Sequence, residues 1–274
     1  MSEDPASMSG DEKLPPAGDD GEEQPLPLVA PVHTLGLGAP FRWLRLGWRD
    51  LRRAPLPSLT YGLLLVAFSW LIAYLALTTG HHLLLFSLLT GFVLVGPVLA
   101  FSMYDVSCQL ENGRTPTLGH CLRQSKRHLG NELLFATILI IVLLIWARAA
   151  SMVHVFFPTD ADPTPVQVAT FLGVGSAVGA VFAIFTFSIS VVSLPMMLDR
   201  QVDVVTAALT SIHAVLRNKL VMLVWGTLIV ALVALGFATA FFGLALVMPT
   251  IGYATWHAYR ETVINEAFPP QPEE

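Results

Sequence analysis

The feature that most limits what this chain can fold into is a run of 40 residues, Leu220 to Tyr259, without a single Asp, Glu, Lys or Arg. Two further runs, Ala54 to Tyr104 and Pro163 to Leu198, are equally free of charge. As helix, 40 residues extend about 60 Å, twice the roughly 30 Å hydrocarbon core of a bilayer. A soluble helix of that length and polarity has nowhere to bury itself. Charged residues make up 13% of the chain, against roughly 25% in soluble domains. The runs predict an all-α polytopic membrane bundle of six transmembrane helices, at roughly 58–79, 83–106, 131–155, 167–194, 219–238 and 241–260. Together they form a transmembrane domain over 58–262.

The remaining charge is partitioned. Residues 1–32 hold eight acids and one Lys, and 261–274 hold four Glu, whereas 33–260 carry a net +6. The Pro-rich acidic ends, 1–32 and 263–274, read as disordered tails. No charged n-region with an apolar core precedes the first span, so a secretory signal is not expected. The basic body points to anionic lipid headgroups and away from nucleic acid. Thirteen of the fifteen Lys and Arg fall on one side of the predicted spans, with Lys13 in the tail on that side and Arg148 alone opposite. The bias of cations toward the cytosol therefore places both termini and both long basic loops there.

Three amphipathic segments precede helix pairs. In 33–57, Phe41, Leu44, Trp48 and Leu51 recur at helical spacing, with Arg42, Arg45, Arg49, Arg52 and Arg53 filling the other side. That is the pattern of a helix lying in the membrane interface. The second, about 117–130, carries Arg123, Lys126 and Arg127, and Thr117 is its expected N-cap. The third, about 203–217, starts at Asp203 and aligns Val205, Leu209, Ile212 and Leu216. These cations are the expected contacts for lipid or for a protein partner. Pro97, Pro195 and Pro249 should kink the spans that hold them, since proline removes a backbone donor. Ser58 is placed to cap the first span.

Two junctions resemble each other: His128–Leu134 with Val215–Val221, and Val95–Ala100 with Val247–Gly252. They suggest three copies of one unit, an interfacial helix followed by a helical hairpin. In that arrangement Glu132 and Lys219 occupy equivalent edges and could pair.

Chemistry is sparse. Cys108 and Cys121 match no metal or redox spacing. Asp105, Glu132 and Asp199 fall near cytosolic span ends, not at mid-membrane, where a proton relay would need them. Arg148 lies near the outer boundary, where a long cationic side chain snorkels to headgroups or pairs with Asp160 or Asp162. His81, His82, His154, Asp160 and Asp162 project outward, but without ligand spacing they read as turn residues, not a metal site. Gly175 and Gly179 share a helix face and are expected to let a neighbouring helix approach closely. Ser69, Thr90, Ser102, Thr186, Ser188, Ser190, Ser193 and Thr227 would have to converge to line a solute path. No catalytic set, metal or cofactor is expected. The function this pattern fits is a non-enzymatic scaffold, assembly or lipid-interacting component. The alternative is a small-solute transporter or channel.

Asp50–Gly62, Gly91–Ala100 continuing through Tyr104 to Glu111–Pro116, and Gly252–Arg260 resemble a bacterial family of predicted integral membrane proteins, domain of unknown function 2189. The resemblance covers about residues 40–265. It implies a bacterial inner-membrane protein of unestablished function. Some relatives carry cytochrome-oxidase-like labels, but this chain lacks a set of mid-membrane histidines that could ligate haem or copper.

Overall fold

The computed structural model describes residues 27–79, 99–156 and 164–271, with the side chains at 76, 79, 118, 120–129, 132 and 154–156 left undescribed. It is an all-α bundle. In chain order the described helices are α1 (Ala39–Arg53), α2 (Pro55–Thr79), α3 (99–111), α4 (Leu118–Phe156), α5 (Pro165–Ser190), α6 (Ser193–Asp199), α7 (Val204–Arg217), α8 (Lys219–Ala238) and α9 (Leu244–Thr262). Four described stretches are long and apolar enough to cross a membrane: Pro55–Leu75, Leu133–Val153, Pro165–Asp199 and Lys219–Ala238. Only 11% of the Leu133–Val153 window is buried inside the protein, so that helix turns its apolar surface to lipid. The expected second span lies largely outside the described residues. The expected sixth coincides with α9, which is not among the four, because its C-terminal half is polar and aromatic.

α9 is instead the central post of the fold. Tyr253, Trp256 and Tyr259 are almost wholly buried. Among the described helices other than α3, α1 packs on α9 most extensively, with α2 next. Close approach comes from glycine. A Cβ on Gly47 of α1 would lie 2.5 Å from the Thr250 carbonyl, and one on Gly62 of α2 would lie 2.1 Å from the Ala245 carbonyl. Gly175 and Gly179 behave otherwise: nothing lies within 4 Å of a Cβ at either, so they are not the close-packing positions that their spacing suggested.

The described prolines differ in their setting. Pro55 opens α2 directly after the Ala54 cap of α1, since a first-turn proline sacrifices no helical bond. The long fourth apolar segment breaks at 191–192, ahead of Pro195, and resumes as α6. Pro249 lies inside a continuous α9. Pro97 is outside the described residues. The segment at 117–130 is not a separate helix: it runs without interruption into the span as the 39-residue α4. Gly130 alone is too weak a breaker, at about 1 kcal/mol against Ala, to end a helix. Ser58 does not cap α2. Its hydroxyl donates to the Ala54 carbonyl and pairs with the Tyr253 hydroxyl at 2.7 Å.

Of the expected tails, residues 1–26 and 272–274 lie outside the described residues, and the described parts, 27–32 and 263–271, are packed. Residues 27–36 run without helix alongside α7. The Ala30 amide donates to Thr210 Oγ1, the Leu35 amide donates to Asn218 Oδ1, and Asn218 Nδ2 donates to the His33 carbonyl. Val32 bridges Val263, and Arg200 bridges Pro270. Phe268 is buried, and Gln271 donates to the Met197 and Arg200 carbonyls. Proline-rich composition suggested disorder, but these short segments bury Ala30 and Phe268 and satisfy their backbone groups against helix ends. The described ends of the chain lie side by side, and therefore on one side of a bilayer.

The proposed repeat finds little support in local environments. Asn218 is buried, whereas Asn131 is exposed, and the Glu132 side chain is outside the described residues.

Candidate functional site

α1 is two-faced, but not along the stripe its sequence suggested. Trp43, Gly47, Asp50 and Leu51 form the buried face, while Phe41 and Trp48 are 58% and 39% exposed. The apolar stripe is divided because α9, not lipid, claims the inner side of the helix. Arg42, Arg45, Arg49, Arg52 and Arg53 are all exposed. The Arg52 guanidinium stacks 5.3 Å from the Trp48 ring centroid, within cation–π range. Arg42 pairs with Glu261 of α9, whose other oxygen accepts from Trp43 Nε1 at 2.7 Å. Among the described residues, Arg45 and Arg53 have no carboxylate partner. The outer face thus presents cations interleaved with aromatic rings, and its inner face is fixed by packing and by Glu261. The side chains of Arg123, Lys126 and Arg127 lie outside the described residues. Arg148 is exposed on α4, and its suggested partners Asp160 and Asp162 are not described. Neither are His81 and His82, nor the side chain of His154.

Beside α1 lies a polar network that the sequence reading did not find. Asp50, 2% exposed, accepts from Ser107 Oγ at 3.0 Å and meets His257 Nε2 at 2.7 Å. Arg49 stands 3.8 Å from its other oxygen. Asp199 accepts from Tyr259 Oη at 2.6 Å and from Asn265 Nδ2 at 2.5 Å, and pairs with Arg200 and Arg260 at 3.1 and 3.4 Å. Glu111 accepts from Trp256 Nε1 and Arg260 Nε. The only signal for this network was an Asp inside the α1 stripe and a cluster of polar aromatics at the end of the last span. Both are visible in sequence, but their meeting is not.

The arrangement is poor for nucleophilic chemistry. Ser107 and His257 both bond Asp50 rather than each other, so His257 is not placed to take the Ser107 proton. Burial, reinforced by Asp105, Asp199 and Glu111, pushes the Cys108 thiol up to about 12, which keeps it protonated and unreactive.

Of the hydroxyls expected to line a solute path, Thr186 and Ser190 border one cavity. Ser69, Ser188, Ser190 and Thr227 each donate to a carbonyl four residues back in their own helix, and Ser193 of α6 donates across the break to the Ile189 carbonyl of α5. Thr90 is outside the described residues. That cavity, of about 810 Å³, opens beside α4 and α5, but its walls are chiefly Phe135, Leu139, Leu143, Trp146, Phe182 and Phe187.

Residues 84–199 match the model of a family described as "Predicted integral membrane protein (DUF2189)". The resemblance read from Gly91–Ala100 and Glu111–Pro116 is thus found over that stretch. No curated protein and no solved structure matches the chain.

Proposed function

We propose that this integral membrane protein is a non-catalytic, lipid-interacting component of a bacterial inner membrane, with both termini cytosolic and with α1 gripping anionic headgroups. The observation that carries the reading is the outer face of α1, where five exposed Arg alternate with exposed Phe41 and Trp48 on a helix whose inner face is pinned to α9. Cation and aromatic side chains together suit the headgroup region, where rings sit at the apolar boundary and guanidinium groups meet phosphate. The excess of Lys and Arg on the side of the paired chain ends supports the cytosolic orientation. Solute transport is less well supported, because Ser69, Ser188, Ser190 and Thr227 donate to their own helices and the cavity that Thr186 and Ser190 border is chiefly apolar.

The test is native mass spectrometry of the full-length protein released from nanodiscs containing phosphatidylglycerol and phosphatidylcholine. Arg45, Arg52 and Arg53 are each changed to Gln together. At roughly 1 kcal/mol per surface cation, retention of phosphatidylglycerol should fall by one to two orders of magnitude. Unchanged retention overturns the reading. Loss of a co-purifying protein instead of lipid replaces it with a scaffold role.

A further inference from the structure

The geometry points to a binding site for one acyl tail of a bilayer lipid in the cavity beside α4 and α5, with the polar end of the ligand toward the α9 network. This deepens the lipid-interacting reading but stands on a different part of the molecule from α1. The space exists because Gly179 and Ala183 of α5 and Ala100 of α3 present little or no side chain. Along α4 the wall runs from Phe135 to Trp146, and along antiparallel α5 from Ser190 back to Gly179. Eleven residues of helix are about 16 Å long, close to one leaflet of a hydrocarbon core about 30 Å thick. The cavity therefore has the depth of a single tail and lies along the direction tails take.

Its polarity is graded in the same sense. Along α5 the polar lining residues Thr186 and Ser190 lie toward its C-terminal end, Tyr104 and Thr255 line the cavity as well, and the Gly179–Ala183 stretch is apolar. Ser190 and Thr255 already donate to their own helices, so toward a ligand they offer only acceptor lone pairs. Such a pair suits a hydroxyl-bearing or glycerol-type head and suits a bare anion poorly. Thr255 belongs to α9, whose Trp256, His257 and Tyr259 carry bonds of the network, so α9 joins the cavity to it. Val181, Ile184 and Phe185, on the same stretch of α5, are between 50% and 65% exposed. The cavity wall is thus continuous with a lipid-facing surface, and the surrounding bilayer supplies its occupant.

The experiment uses the full-length protein in nanodiscs doped with phosphatidylglycerol carrying a diazirine in one acyl chain, with photoadducts mapped by peptide mass spectrometry. Adducts should concentrate on the peptides bearing Leu139, Leu143 and Ala183 over those bearing Leu223 and Val230, which lie on the outer face of α8. Ala183→Trp fills the space and should cut the cavity adducts at least fivefold while leaving the α8 adducts unchanged. Gly179→Leu, judged monodisperse by gel filtration, serves should the tryptophan variant not fold. Equal labelling of cavity and outer faces, or labelling indifferent to both substitutions, overturns the site and means that lipid contact there is no more than that of the general protein surface. The α1 triple glutamine variant should lose headgroup preference yet keep the cavity adducts, which separates failure of this proposal from failure of the α1 reading.

Discussion

Gly62 of α2 packs against the carbonyl of Ala245 in α9, the carbonyl whose helical hydrogen bond Pro249 removes. The proline has no N–H to return to the residue four positions earlier, and the glycine brings its bare Cα to the place left open. A Cβ there would stand 2.1 Å from the oxygen. Gly62→Ala must therefore push α2 off α9, and Gly47→Ala must push α1 off it. Each should cost about 1–3 kcal/mol by overpacking, seen as a lower unfolding temperature in detergent. Gly175→Ala, where nothing lies within 4 Å, should leave that temperature unchanged or raise it slightly.

Asp50 meets two polar groups at once, the buried Ser107 hydroxyl and the partly buried His257 ring. Asp50→Ala leaves Ser107 and His257 without their acceptor, at a cost of about 1–3 kcal/mol for each group left unsatisfied. Asp50→Asn keeps the shape and one acceptor oxygen, so it should lose less. Chemical denaturation of the purified variants in mixed micelles gives the order: equal losses for Ala and Asn would contradict the network.

Asp203 closes the first turn of α7 through its bonds to the Val205 and Thr206 amides. The Thr206 amide, ahead of the other donors, holds its carboxyl below the ordinary carboxylate value. Its cap contribution is thus present above that ordinary value and is lost as pH falls through the depressed one. Asp203→Ala should cost about 1 kcal/mol at neutral pH and flatten this part of the acid dependence. Asp203→Asn should retain the cap and lose only the dependence on pH.

Asn218 ties residues 27–38 to the start of α8, through one bond accepted from Leu35 and one donated to His33. Asn218→Leu removes both, about 1 kcal/mol each. Hydrogen exchange at the amides of His33 and Ile264, which pair across the two chain ends, should speed up by about an order of magnitude or more. Unaltered exchange would mean that the bridge at Val32 and Val263 holds without it.

What could be read in advance followed from solvent. Runs without charge identify helices that face lipid, and the aspartate before Val204 was legible as a cap because its hydrogen bonds are local. Faces were misread where protein replaces lipid as the neighbour. In α7, Val205 and Leu216 are exposed, while Thr206, Ala207, Thr210 and Ser211 form the buried side. Small and hydroxylated residues pack between membrane helices, so the most apolar stripe need not mark the core. The Asp50 and Asp199 networks were illegible for another reason. They join residues 57 to 207 positions apart in the first case, and no periodicity reports such a meeting.

The dependence of α1 on α9 also sets an order of events during synthesis. Trp43 leaves the ribosome 213 residues before Trp256, which at roughly 5–20 residues per second is a wait of about 10–40 s. Throughout that interval Asp50 has no His257 and Trp43 has no Glu261. The helix at the front of the chain is therefore a nascent-chain client, held by the membrane surface or by the insertion machinery, until the last helix arrives to finish it. Truncation within α9 should consequently harm the N-terminal region more than any stretch in between, and a protease in the cell would detect the defect far from the break.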